Sequence, residues 1–450
     1  MTMLGRLAER LYAASPPRLR DIALSARGAL LQVERYGGDF PRLYAEACAA
    51  MFSSRAETTS IQERQWAEHI VPTLPNVRAY GRPLPFSEIS SLPVLSKSVI
   101  RERLGDFVRN PPPRERVLNA HTSGTTGAGL RFPVTRYAHQ RQWAFWWRYR
   151  SWHGISRDEW CAVFGGRTVV PPTYTNPPFW HVNQPGRSVL FSQYHLTPER
   201  AQLYLDEIRR RDIHWIHGYP SSIAFLAQVG IELGYARRVP IRWVTVGAEN
   251  LLVHQRDAIE RMFGVTPRQH YGLAEGVANI SECPGGTLHV DEDYSLVEFL
   301  PREDGSGHRI VGTSLDNAAI PFVRYDTGDI ATLPDGGGTC SCGRTGRVVE
   351  TIDGRQEDYL VLSDGTKLGR VDHFFKDAVH IREAQIVQKQ PGQATIRIVR
   401  GNGYTRADEQ ALRREMDDRL AGRLSFEFEY ATDIPRGPNG KLRLVIQHTA

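Results

Sequence analysis

The 450-residue sequence predicts an α/β fold: a large layered N-terminal domain of sheets and helices with a β-rich subdomain, then a small α+β C-terminal domain. Three observations predict it. From about residue 116 short apolar runs alternate with amphipathic stretches. After Leu288 the pattern turns strand-rich, and the last 95 or so residues place short strands around one helix.

Residues 1–110 read as mostly helical, as in Pro41–Ala50 and Ser60–Ile70. His214–Gly218 reads as a buried strand end followed by a helix over Ser221–Leu233. Arg242–Gly247 reads as a second strand ending in glycine, followed by a helix through Met262. Such alternation places ligand loops at the strand C-termini. The strand-rich region, 280–353, contains His289–Asp291, Ser295–Phe299 and Ile310–Thr313. A boundary near Gly354 divides the chain into domains 1–353 and 354–450. The second has strands at Gln385–Gln390, Ala394–Val399 and Ser425–Tyr430 and a helix over Ala407–Leu420. No internal repeat is visible.

Composition excludes several classes. Hydrophobic residues at 41% and charged residues at 24% are those of a soluble globular protein. The net charge of +6 is small for this length, and arginines alternate with acids, as over Arg413–Arg419, so no nucleic-acid module is read. Arg6, Arg10, Arg18 and Arg20 interrupt any signal-peptide core, and no run of apolar residues is long enough to span a membrane. Leu4, Leu7 and Leu11 share a helical face, for which packing on the domain is the commoner explanation than a membrane surface. Five cysteines in a long chain make no disulfide framework, and a cytoplasmic protein is expected.

Five segments carry chemistry. Thr122–Gly127 (Thr-Ser-Gly-Thr-Thr-Gly) has glycines that let the backbone bend close to a ligand and hydroxyls that hold phosphate oxygens. No Gly-Lys-Ser/Thr follows, so it is not a Walker loop, and Ser/Thr/Gly clusters standing alone are usually plain turns. His270–Glu275 offers Glu275 as an oxygen ligand for Mg²⁺ and Tyr271 as a stacking face; a surface glutamate and a core tyrosine are the alternative. Arg324–Asp329 reads as an acidic turn in which Asp329 suits two ribose hydroxyls, or as an ordinary Asx turn. Gly354–Asp358 lies at the boundary. Pro435–Lys441 presents a lysine on a rigid loop, where a solvated lysine is the alternative.

In this order and spacing the five segments resemble the signature series of the adenylate-forming superfamily of acyl-CoA synthetases, peptide-synthetase adenylation domains and luciferases. The resemblance spans nearly the whole chain. Leu92–Lys97, Phe164–Arg167, Pro178–Trp180, Tyr194–Leu196 and His217–Ser222 look like the phenylacetate–CoA ligase/CapK group. The resemblance implies ATP-dependent activation of a carboxylic acid to an acyl-adenylate with pyrophosphate release, then transfer to CoA. Transfer to a carrier protein, amine, sugar hydroxyl or coenzyme is the alternative, and a non-enzymatic nucleotide binder is disfavoured by Glu275, Asp329 and Lys441.

By position, Ser123, Gly124, Thr125, Thr126 and Gly127 are assigned to the β- and γ-phosphates. Gly247, Ala248 and Glu249, with His270, Tyr271 and Gly272, wall the adenine. Glu275 holds Mg²⁺, Asp329 takes the ribose, and Arg355 approaches the ribose or phosphate. Asp358 is the hinge of a mobile C-terminal domain, and Lys441 bridges the carboxylate and α-phosphate; Thr126, Glu275 and Lys441 form the catalytic set. The sequence departs from many relatives in having Ala128 and Gly129 where a lysine follows the loop; either Arg131 compensates or the loop contacts pyrophosphate less tightly.

Cys283, His289, Cys340 and Cys342 supply three thiolates and an imidazole, a structural zinc set; similar Cys/His pairs occur in some phenylacetate-ligase relatives. Three reduced cysteines and an unrelated histidine are the alternative. Cys48 and Cys161 read as core residues. Six of nine tryptophans fall between residues 143 and 180, which fits an aromatic-lined acyl pocket or a packed aromatic core equally; Arg167, Trp180, His195 and His217 are pocket candidates. The acid and a possible homodimer are left open.

Overall fold

The computed structural model describes residues 15–122, 130–165, 169–171, 174–303, 305, 307–355, 360–363, 367–368, 371–375, 380–420, 422–436 and 442–447. Its contacts divide the chain into two units, one of Met1–Val33, Arg157–Pro267 and Asp358–Ala450, the other of Glu34–Ser156 and Arg268–Glu357.

In the first unit the strands Trp243–Gly247, Trp215–Gly218, Cys161–Gly165, Ser188–Ser192 and Trp180–Asn183 lie side by side in that order. All neighbours are parallel except the last pair. Parallel strands are covered by helices, which is why these runs are apolar and not alternating. The helices are Pro198–Arg210, Pro220–Glu232 and Val253–Phe263; the first two begin with proline, whose missing N–H costs nothing at that position. Phe164, Phe191, Ile216, Ile223, Leu226 and Ile259 belong to the core between these layers.

The same unit contains the C-terminal sheet, ordered Ser425–Ala431, Gln393–Arg400, Ile381–Gln390 and Val445–Gln447. The helix Arg406–Leu420 carries the chain from Gln393–Arg400 to its parallel neighbour Ser425–Ala431. Leu360, Phe375, Ile386, Ile398, Met416 and Val445 belong to a separate core. Arg382 reaches Glu232 through two hydrogen bonds of 2.7 and 2.8 Å, and Gln228 donates to the Ile381 carbonyl, tying this sheet to the helix Pro220–Glu232.

In the second unit the hairpin Val117–His121/Arg131–Thr135 is closed at its neck: the Thr122 N–H donates to the Leu130 carbonyl and the Leu130 N–H to Thr122 Oγ1, each at 2.9 Å. The helix Arg136–Trp152 follows, with Thr135 Oγ1 capping the Ala138 N–H. Its Arg148 is buried against Asp291 at 2.7 Å and Asp293 at 2.6 Å, and its Arg141 against Asp316 at 3.0 Å. An antiparallel ladder links Arg268–Gly272, Asn279–Glu282, Leu288–Val290 and Val348–Val349. A second antiparallel sheet orders Ser295–Pro301, His308–Ser314, Tyr325–Thr332 and Thr351–Arg355. Mixed α/β layering with a strand-rich region and an α+β C-terminal part is the architecture predicted above. Among the described residues, no helix is long and apolar enough to cross a membrane.

Candidate functional site

Three of the predicted segments meet over one hydrophobic cluster of the second unit. Leu130 and Phe132 of the hairpin, Val277 and Leu273 beside Glu275, and Tyr325 of the acidic segment pack together there. The hairpin's connection, with the assigned Ser123, Gly124, Thr125, Thr126 and Gly127, lies outside the described residues, but its neck and both strands are described. Arg131 is exposed on the second of those strands.

Glu275 is buried, and the Tyr325 hydroxyl donates to its Oε1 at 2.9 Å. A carboxylate kept from water with one oxygen oriented by a phenol is a hard-oxygen donor of the type Mg²⁺ takes. Tyr271, on the strand Arg268–Gly272, donates its hydroxyl to Asp329 Oδ2 at 2.8 Å. Burial first, and then the Asp329 carboxylate, lift the Tyr271 hydroxyl well above the usual tyrosine range, so it stays a donor. Asp329 N–H is itself held by Thr327 Oγ1 at 3.1 Å. Asp329 and Arg355 pair across the antiparallel ladder, which brings the two predicted ribose residues together; Asp358 and Lys441 lie outside the described residues. Tyr271 therefore spends its hydroxyl on Asp329.

Arg324–Asp329 is not a turn. Tyr325–Thr332 is a strand whose pairing shifts register, with Gly328 at φ +75° and its N–H held by Asp326 Oδ1 at 3.0 Å. The Asx geometry read from the sequence is real, but it sits inside a sheet as an irregularity.

His270 stands between Trp146, 5.9 Å edge-on, and Tyr149, 5.1 Å away. Gly272 ends its strand and is exposed. The other segment predicted to wall the adenine belongs to the first unit. Gly247 ends the strand Trp243–Gly247, Ala248 is left-handed at φ +67°, and Glu249 accepts from the backbone N–H groups of Ser221 and Leu442 at 3.3 and 3.0 Å.

The four predicted metal ligands converge: the ligand atoms of Cys283, His289, Cys340 and Cys342 all lie within 4.8 Å of one another. Cys283 Sγ is 3.7 Å from Cys340 Sγ, and Cys342 Sγ is 3.4 Å from His289 Nε2. A zinc tetrahedron with ordinary bond lengths has S–S edges of about 3.8 Å and S–N edges of about 3.5 Å. His289 Nδ1 faces the Gly346 carbonyl at 3.3 Å, which as an acceptor requires the proton on Nδ1 and leaves the Nε2 lone pair for a metal. Gly346 is required here, since a Cβ on it would lie 2.0 Å from the Val290 carbonyl oxygen.

The remaining pocket candidates separate. His195 is buried, bonded to Ser192 Oγ at 2.8 Å and the Tyr174 carbonyl at 2.9 Å, and burial holds it below the usual histidine range. Trp180 donates to Glu207 at 3.0 Å, and His217 faces Thr245 Oγ1 at 2.9 Å. Arg167 lies outside the described residues. The six tryptophans are divided between the two units. Trp143, Trp146, Trp147 and Trp152 ride one helix of the second unit, while Trp160 and Trp180 pack on the core of the first. Sequence reasoning missed Tyr325, the partner of Glu275, although it lies within a quoted segment, and Ser221 and Leu442, the partners of Glu249.

Residues 360–448 match the family model of the CapK C-terminal domain. The chain is 23% identical to Protein CapK of Staphylococcus aureus, over 97% of this chain and 99% of that one. It is 29% identical to a phenylacetate-coenzyme A ligase of Thermus thermophilus over 178 residues, 37% of this chain and 34% of the ligase. In fold it is similar to the crystal structure of 2-hydroxyisobutyryl-CoA ligase in the postadenylation state in complex with R3-HIB-AMP. That similarity has a TM-score of 0.64 and 17% identity, and covers 88% of this chain and 91% of that one.

Proposed function

We propose that the chain is a member of the adenylate-forming superfamily, in its phenylacetate–CoA ligase/CapK-like group, and that it activates a carboxylic acid with ATP and passes the acyl group to CoA. It is thus an AMP-forming acid–thiol ligase. The observation that carries this reading is the meeting of the hairpin, the Glu275 loop and the Tyr325–Thr332 strand over one cluster.

The carboxylate substrate must approach an already anionic phosphoryl group. Glu275, buried and oriented by Tyr325, fits a Mg²⁺ ion, which when bound supplies charge neutralisation at the phosphates. Asp329, braced by Tyr271 and Thr327, offers oxygen acceptors to the ribose hydroxyls. Ser123–Gly127 would hold the β- and γ-phosphates with backbone N–H groups and hydroxyls, and Lys441 would bridge the two reacting anions. Residues 354–450 would turn about Asp358 after adenylation to admit the thiol. The Cys283–His289–Cys340–Cys342 set fits a structural zinc ion that pins the segment 340–346 against the strand Leu288–Val290.

The test is pyrophosphate release with ATP, Mg²⁺ and a panel of aryl, fatty and amino acids, with and without CoA. Release that depends on one acid, with thioester only when CoA is present, is expected. Release without thioester moves the acyl or AMP acceptor to a carrier protein, amine, sugar hydroxyl or coenzyme. No release and no ATP binding would overturn the reading.

A further inference from the structure

The carboxylate of Glu249 is occupied by this chain's own backbone. Oε2 accepts from the Ser221 N–H, at the start of the helix Pro220–Glu232, and Oε1 from the Leu442 N–H. Ala248 makes the connection possible. A left-handed residue with a Cβ persists only where its surroundings hold it.

A second anchor lies close by. Arg436 donates to Ser221 Oγ at 3.4 Å and to the buried carboxylate of Glu383, on the strand Ile381–Gln390. Desolvation lifts the carboxyls of both Glu249 and Glu383, and the Arg436 guanidinium opposes the lift in each. One cation thus serves two acids. The described residues on either side of 437–441, Arg436 before and Leu442 after, are consequently fastened to one place, the Ser221–Glu249 pair.

Leu442 directly follows Lys441. We propose that Glu249 is a positioning residue for Lys441: by holding the next residue's N–H, with Arg436 and Glu383 fixing the chain before it, it sets where the lysine ammonium can reach. This rests on the reading of Lys441 given above. It gives Glu249 a different task from the adenine wall that the resemblance assigns, because both of its oxygens already face N–H groups of this chain.

The test compares Glu249→Ala, Glu249→Gln and Lys441→Ala, alone and combined, in the two half-reactions. Glu249→Ala is expected to slow adenylation about 10–100-fold at unchanged KM for ATP, the range expected for a displaced catalytic group. Thioester formation from supplied acyl-adenylate should fall far less. The double variant with Lys441→Ala should be little slower than Lys441→Ala alone, since the two residues act as one unit. Glu249→Gln, which keeps an acceptor for the Leu442 N–H, should lie between. Hydrogen exchange reads the contact without any activity: the Leu442 amide should exchange faster in Glu249→Ala, with the core of the sheet unchanged. A raised KM for ATP with turnover held, additivity with Lys441→Ala, or unchanged exchange at Leu442 would each overturn the proposal. A wild-type rate in Lys441→Ala sinks the reading of the lysine and this proposal with it; a wild-type rate in Glu249→Ala alone sinks only the proposal.

Discussion

The Tyr325 hydroxyl donates to Glu275 Oε1 at 2.9 Å across fifty residues of sequence. Both side chains are buried, and each comes from a segment that the sequence marks independently for nucleotide chemistry. A phenol that fixes one carboxylate oxygen decides how the other is presented.

Tyr325→Phe removes that donor and keeps the ring in its cluster. Outer partners of metal ligands are worth about 10–100-fold in metal affinity. The Mg²⁺ concentration for half-maximal pyrophosphate release should rise by about that factor while KM for the acid holds. An unchanged Mg²⁺ titration would make the bond purely structural.

Lys441→Ala should lose adenylation by roughly 10²–10³, the cost of one preorganised charge-stabilising group. It should retain thioester formation when acyl-adenylate is supplied. Equal loss of both half-reactions would remove the assigned role.

Cys340→Ser tests the metal set. Elemental analysis of the purified wild type should give about one zinc per chain, falling to none in the variant, with a lower midpoint of thermal unfolding. A wild-type protein that is free of zinc and fully active would dismiss the site.

Arg148→Met should destabilise the fold by about 3–5 kcal/mol, because it leaves Asp291 and Asp293 buried without their cation. Urea unfolding measures it. A change under about 1 kcal/mol would mean that water replaces the guanidinium.

The motif segments were legible because local chemistry marks them: glycines with hydroxyls in 122–127, and paired acids and aromatics in 270–275 and 324–329. The four proposed zinc ligands were legible by residue type, and they converge where the turn after Cys283 and the glycine at 346 lie. What escaped depends on partners far away in sequence. The stretch after Arg324 looked like a turn because its Asx geometry is local, whereas its membership of a sheet comes from pairing with His308–Ser314 and Thr351–Arg355. The three-residue strand Val445–Gln447 is too short to show a period and exists by pairing with Ile386–Gln388. The partners of His195, Ser192 and the Tyr174 carbonyl, which take both of its nitrogens, were likewise invisible in the sequence.

Among the described residues, the core that contains Phe375, Ile398 and Met416 shares no side chain with the core of the parallel sheet, although both lie in one unit. Cohesion and attachment are therefore separate quantities in this chain. The apolar interior that makes residues 360–447 a body would survive a change in what that body touches. The described ties to the helix Pro220–Glu232 include Arg382 with Glu232, Gln228 with the Ile381 carbonyl and Arg436 with Ser221 Oγ, polar groups that water satisfies nearly as well. The seam is shallow where each interior is deep, so heat or denaturant should reach the seam first, and a single unfolding midpoint would describe neither.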